Sequence, residues 1–239
     1  LWNRYLNSDY VCNMDLYLAT DLKYGQVVHG KSGMRDYYVP VNSMHADTTE
    51  PAGFIEQIRP RFLYIADLDR ICKTGDHDAI ITVLAQKTER ILLDRGCRGP
   101  DDMLYIDKVS NIVGTETAAD TLEQFTGGVL SVDIKQDLVI PWNTDPVLFL
   151  SSCNRFRFET IILLDIGGVG TGQGLNKERL IVFRSAYAGP LLWGGGVSSE
   201  ADLVLLDNAG FDGAIIATAV HNGNIPVEYI RRGTFCSSP

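Results

Sequence analysis

Leu16–Gly30, LYLATDLKYGQVVHG, is answered about half a chain later by Leu130–Trp142, LSVDIKQDLVIPW. With Asp21 laid over Asp133, the two read TDLKYGQVV and VDIKQDLVI. Each is an apolar run ending in Asp, then an apolar residue, Lys, turn residues and a second apolar pair. A short buried strand that ends in a carboxylate is how a closed barrel of βα units presents an acid to its open face. Two copies supply two carboxylates, the minimum set for moving a proton off one atom and onto another.

The correspondence extends in the same order along the chain. LYIADLDRICKTG (Leu63–Gly75) faces ILLDIGGVGTG (Ile162–Gly172), with Asp67 over Asp165. LLDRGCRGPDD (Leu92–Asp102) faces LLWGGGVSSEAD (Leu191–Asp202), with Gly96 over Gly196, and IVGTETA (Ile112–Ala118) faces IIATAVH (Ile215–His221), with Thr115 over Thr218. Apolar strands alone would match anything, so the weight rests on the Asp, Gly and Thr at the strand ends. Eight β-like runs follow: Leu16–Asp21, Phe62–Asp67, Ile91–Asp94, Asn111–Thr115, Val129–Asp133, Thr160–Asp165, Pro190–Gly194 and Gly213–Ala217. Helix-compatible periodicity lies between them at Ile80–Ala85, Ala118–Phe125, Lys177–Ser185 and Ala201–Asn208. Strands alternating with helices argue for parallel βα units. The expectation is an α/β fold, a (β/α)8 TIM barrel of two duplicated (β/α)4 halves at about 16–125 and 126–235. These form a single domain over 14–239, with 1–13 an extension ahead of the first strand.

The 239 residues suit such a barrel, typically ~250 residues long. A net charge of −9 and a pI near 4.9 argue against nucleic acid as a partner. No apolar run reaches the ~18 residues of a membrane span. The five cysteines are scattered, odd in number and without a CxxC pair, so zinc and a disulfide framework are poor readings and a reducing cytoplasm fits best. No metal or organic cofactor is expected.

Three Gly-rich elements follow the last three strands: the 167–174 stretch GGVGTGQG, Gly194–Gly196, and Ala217–Thr218 before a helix. Glycines let backbone N–H groups approach an oxyanion closely, and a helix start with a hydroxyl completes a phosphate cradle. In the first half Gly114 and Thr115 keep that form, but Asp94-Arg95-Gly96 replaces a glycine triplet. A carboxylate there repels phosphate while Arg95 offsets it or pairs with a neighbour. A second phosphate site and plain ion pairing therefore both remain open. Trp142 is a stacking platform for a planar ring or a loop anchor packed on the barrel rim; Thr171 is a substrate-binding or a turn hydroxyl.

These motifs resemble the HisA/HisF family of histidine biosynthesis over about Leu16 to Gly223, and the VVHGKSGMRDYYVPV segment looks like that of the divergent archaeal HisA-like branch. The resemblance implies catalytic aspartates at Asp21 and Asp133, a catalytic threonine at Thr171 and a substrate-covering tryptophan at Trp142. Its distal phosphate loops fall on Gly174, Gly195, Gly196, Ala217 and Thr218. The chain departs from the family where Val169 replaces an aspartate, where Asp94-Arg95-Gly96 replaces the first glycine triplet, and where His29 replaces a substrate-gripping arginine. The implied activity is a sugar-phosphate aldose–ketose (Amadori) isomerisation, an intramolecular redox step on a phosphoribosylamino-imidazole carboxamide, by a monomer or weak homo-oligomer. The alternatives are an isomerase or lyase on another phosphorylated precursor, a cyclase working with a glutaminase, and a non-catalytic phosphate-ligand barrel.

Overall fold

The computed structural model describes residues 14–30, 33–169 and 174–237; the 1–13 extension, Lys31 and Thr171 lie outside them. Among the described residues eight parallel strands close on themselves: β1 (Met14–Lys23), β2 (Phe62–Asp67), β3 (Arg90–Asp94), β4 (Val109–Gly114), β5 (Val129–Lys135), β6 (Thr160–Asp165), β7 (Leu191–Gly194) and β8 (Gly213–Ile216). Closure is made by β8 on β1, with Leu16 opposite Ala214 and Leu18 opposite Ile216. The fold is a (β/α)8 barrel, and each of the eight expected strands is present.

Strand alternation sorts the side chains into two cores. Tyr17, Phe62, Tyr64, Leu92, Ile112, Val129, Ile162, Leu192 and Ile215 fill the barrel interior. Leu16, Leu18, Leu63, Leu93, Leu130, Val132, Leu163 and Trp193 face outward onto the surrounding helices. The same period of two decides which strand-end acids look into the barrel. Asp21, Asp94 and Asp133 are in step with Tyr17, Leu92 and Val129, whereas Asp67 and Asp165 are one residue out of step with Phe62, Tyr64, Ile162 and Leu164.

The helices outside β2, β6 and β7 are Asp78–Lys87, Lys177–Ala186 and Glu200–Ala209, each enclosing its expected run. Pro51–Ile58 and Pro146–Ser152 add two that open on proline and are capped by the Glu50 and Asp145 side chains. The expected helix Ala118–Phe125 is corrected. The helix is Thr115–Ala118, followed by a 3-10 turn at Leu122–Gln124. The Thr121 hydroxyl explains the break: it donates to the Ala118 and Arg98 carbonyls and pulls the chain out of the α path.

The outward Asp67 is wholly buried and structural. Its carboxylate accepts the His77 ring Nδ1–H at 2.7 Å and the His77 and Arg70 backbone N–H groups. Burial works to raise its pKa, but those donors outweigh it and hold the carboxyl below its usual range. The same bond to Asp67, acting against burial, raises the pKa of His77. In the neutral ring the other nitrogen of His77 accepts the Gly25 N–H at 3.0 Å, pinning the turn after β1 to the loop after β2, and in the protonated ring it pairs with the Asp69 carboxylate at 3.4 Å. His77→Ala is expected to lower stability by roughly 1–3 kcal/mol. A raised histidine pKa stabilises fully below the unfolded value and loses that contribution as pH rises through the folded one. The Tm gap between wild type and variant should therefore narrow from pH 6 to pH 9, and a gap that widens would contradict the assignment.

Candidate active site

Above the C-terminal ends of the strands lies a cavity of about 370 Å³ lined by Asp21, Asp94, Asp133, Tyr64, Arg35 and Glu116 on one side. Gly195, Gly196, Ser198, Ser199, Ala217 and Thr218 line the other. The strands place the acids: three inward-facing Asp side chains, one above the last apolar layer on each of β1, β3 and β5.

The two expected catalytic carboxylates thus face one cavity. Burial is the main reason that Asp21 is raised to about 7; the Arg35 guanidinium pulls it down and Asp94 pushes it up. Its Oδ2 lies so close to Gly30 that a Cβ there would approach to 2.6 Å, which explains a glycine at that turn. Asp133, 3% exposed, is likewise raised to about 7, chiefly by burial. Its carboxylate accepts the Ser131 hydroxyl at 2.6 Å and the Glu116 N–H at 2.9 Å, which favour the charged form, while Asp94 and Glu116 oppose it. Asp94 is raised to about 6, first by burial, against the Gly96 N–H and Arg35.

The sequence analysis did not single out Asp94 as a cavity acid, nor Arg35, Glu116 or Tyr64. Strand parity would have found Asp94 and Tyr64. Arg35 and Glu116 carried no local signal, because they are joined only across the barrel mouth. Arg35 Nη1 and Nη2 donate to the two Glu116 oxygens at 3.0 and 2.6 Å. The Lys23 ammonium holds the Arg35 carbonyl at 2.7 Å and so ties this loop to β1.

On the opposite rim the backbone is shaped by glycine. Gly195 has φ +99°, and a Cβ there would run into the Asp165 carbonyl oxygen. The Trp193 indole N–H donates to the Gly195 carbonyl at 2.7 Å and fixes this turn to the outer core. Asp202 buttresses the next turn by accepting from Ser198, Ser199 and Leu175. Burial works to raise its pKa, yet those donors hold it below the usual range. His221 lines this rim too; burial, with His29 and His45 nearby, lowers it to about 4, so it is neutral near pH 7. Among the described residues that line this side of the cavity, backbone and hydroxyl groups rather than a lysine or arginine face an anion. Among the described residues no group of His, Cys, Asp and Glu is arranged to hold a metal ion.

The remaining expected residues are dispersed. Gly174 (φ +76°) lines a smaller hollow of about 130 Å³ behind Gly195 and Gly196, with Asp165 and Arg179. Gly96 (φ +66°) packs on Ile71, and Gly114 on the Asp133 carboxylate, where a Cβ would come to 2.9 Å. The Thr115 hydroxyl accepts the Asp133 backbone N–H at 3.0 Å, so it orients the strand rather than facing the cavity. Trp142 is 39% exposed and stacks on Phe149 at 5.3 Å, outside the cavity lining. Arg95 turns away to Asp78 at 2.8 Å and the Asp102 carbonyl at 3.1 Å.

A family model described as "Histidine biosynthesis protein" matches residues 15–226. An uncharacterised protein of Methanocaldococcus jannaschii is 35% identical, covering 91% of this chain and 97% of its own. Imidazole-4-carboxamide isomerases of Thermus thermophilus and Listeria innocua are 28% and 29% identical, over 90% and 91% of this chain and 97% of theirs. Their names specify a substrate with a 5-phosphoribosyl and a 5-phosphoribosylamino group. Among the described residues no helix is long and apolar enough to cross a membrane.

Proposed function

The chain belongs to the histidine biosynthesis protein family, and from that premise we propose that it is an aldose–ketose isomerase acting on a phosphoribosylamine. The observation that carries this reading is the pair Asp21 and Asp133, both shifted to about 7 and both facing one cavity with a glycine rim opposite. A carboxyl with a pKa near the working pH serves as acid or as base with little penalty in either state.

In this reading the phosphate of the ribosyl group sits on the Gly195–Gly196 and Ala217–Thr218 rim and orients the sugar. Asp133, flanked by the Asp94 and Glu116 carboxylates, starts protonated and gives its proton to the ring oxygen. The C1–O bond opens and the nitrogen lone pair forms the C1=N bond of an iminium (protonated Schiff base). Asp21, beside Arg35, starts ionised and takes the C2 proton. The C2–H electrons form C1=C2 and the C1=N pair returns to nitrogen, giving the enolamine. Asp21 then gives its proton to C1 and the C2 hydroxyl proton returns to Asp133, which yields the 1-amino-2-ketose and restores both carboxyls. Hydrogen moves from C2 to C1, so substrate and product have the same composition and no external oxidant or reductant enters. Positioning of this kind supplies several kcal/mol of barrier reduction.

The test is turnover of phosphoribosylamines by the purified protein, followed as formation of the aminoketose. The kcat/KM profile is expected to be bell-shaped with its maximum near pH 7: protonation of Asp21 removes the base below it, and ionisation of Asp133 removes the acid above it. A profile flat from pH 5.5 to 8.5 would exclude this pair as the acid and base.

A further inference from the structure

The two rims of the barrel mouth share a sequence pattern but differ in chemistry. On the second-half rim, the backbone N–H groups of Gly196 and Ala219 border the cavity and, among the described residues, donate to no protein acceptor. The positions matched to them in the sequence are Gly96 and Glu116. There the Gly96 N–H donates to the Asp94 carboxylate at 3.0 Å and the Glu116 N–H to the Asp133 carboxylate at 2.9 Å. The chain's own carboxylates thus stand where a bound anion would be. The loop around them is tied off as well: Arg98 donates to the Gly96 carbonyl at 2.9 Å and the Thr117 hydroxyl to the Cys97 carbonyl at 3.2 Å. Gly195 takes its turn at φ +99°, whereas its match Arg95 has no positive φ and sends its side chain to Asp78.

Arg35 is the one arginine or lysine among the described residues of the cavity lining, and both its terminal nitrogens are on Glu116. A phosphate arriving there would have to strip Arg35 from Glu116, leaving that carboxylate unpaired beside Asp94 and Asp133. Tyr64 is 5% exposed, borders the cavity, and has the Asp94, Asp21 and Asp133 carboxylates and the Arg35 guanidinium as its charged neighbours. Among the described residues its hydroxyl makes no hydrogen bond. A hydroxyl that opens on the cavity without a protein partner is free to donate to an acceptor atom of a bound ligand.

We propose that the substrate carries a single phosphate, held at the Gly195–Gly196 and Thr218–Ala219 rim, and that the opposite end, formed by Asp94, Glu116, Asp133 and Tyr64, takes an uncharged or cationic head group and rejects a second phosphate. The head presents hydrogen-bond donors to the carboxylates and one acceptor to the Tyr64 hydroxyl. This specificity rests on the isomerase reading above, and it separates the chain from relatives whose named substrate bears two phosphoribosyl groups.

Titration calorimetry on the full chain at pH 7.5 tests it, with ribose 5-phosphate and that two-phosphoribosyl compound as probes. Wild type should bind ribose 5-phosphate and gain no affinity from the second phosphate. In Asp94→Asn/Glu116→Gln, which lowers the negative charge and frees Arg35, the affinity ratio should move at least tenfold toward the two-phosphate compound. Asp94→Asn alone should move it at least threefold, which keeps the test available if the double variant misfolds. Wild type binding the two-phosphate compound tenfold tighter than ribose 5-phosphate, or ratios unmoved by these substitutions, would overturn the proposal. Binding of neither probe would overturn the phosphate rim itself. Single-phosphate binding without any aminoketose formation would instead sink the isomerase reading and leave the phosphate count standing.

Discussion

Asp21→Asn and Asp133→Asn are each expected to lower kcat/KM by about 10²–10⁴-fold, the range that a positioned general acid or base contributes. The double variant should lose little more, because ring opening by Asp133 and C2 deprotonation by Asp21 are both needed for one turnover and losing either already blocks it. The substitutions preserve shape. At Asp133 the Asn amide oxygen accepts the Glu116 N–H as Oδ2 does, and the amide nitrogen donates to the Ser131 hydroxyl in place of the bond received at 2.6 Å. A loss of activity is therefore a loss of proton transfer rather than of folding. Stability supplies an independent reading. A carboxyl held at about 7 by burial takes up a proton on folding below that pH, so the ionised form destabilises the fold as pH rises from about 4 through 7. Asp21→Asn should melt above wild type at pH 8, with the advantage gone near pH 4. A variant that kept full turnover, or that melted lower than wild type at pH 8, would remove Asp21 from the role given it.

Gly195→Ala is expected to have the largest effect on the opposite rim. With φ +99° an L-residue is strained whatever the space, and here the Cβ would run into the Asp165 carbonyl oxygen. Backbone strain of this kind costs about 1–3 kcal/mol, and relieving it by shifting the turn breaks the 2.7 Å bond from the Trp193 indole to the Gly195 carbonyl. The displaced N–H groups would no longer converge on the phosphate, so KM should rise on the order of 10–100-fold, while kcat falls less because the acids lie across the cavity. Gly99→Ala is the control: its φ is −157°, nothing lies within 4 Å of the added Cβ, and it is absent from the cavity lining. Equal effects of the two substitutions would show that Gly195 is a structural glycine only.

Much of this was legible in the one-dimensional pattern. The positions of all eight strands follow from short apolar runs, six of them ending in Asp or Gly and the other two in Thr115 and Ala217, because a strand buried on both faces has nothing but side-chain size and a terminal turn to mark it. Asp21 and Asp133 could be paired from TDLKYGQVV and VDIKQDLVI alone. The glycine turn at Gly194–Gly196 was equally plain, since only a residue without Cβ accepts that backbone.

Tertiary structure decided what those residues do to one another. Asp67 and Asp165 end strands as Asp21 and Asp133 do, yet they face outward, to His77 and to the Gly168 N–H. Strand parity separates the two sets, and the closed barrel, whose interior Tyr17, Leu92 and Val129 fill, decides which set faces inward. Trp142 left stacking on a ligand and packing on the rim equally open, and Phe149, one turn into a proline-started helix, takes its ring. The ion pair of Arg35 with Glu116 joins residues from opposite loops of the barrel mouth. No periodicity or spacing carries such a contact, because charge complementarity acts through space and is set by where the barrel closes.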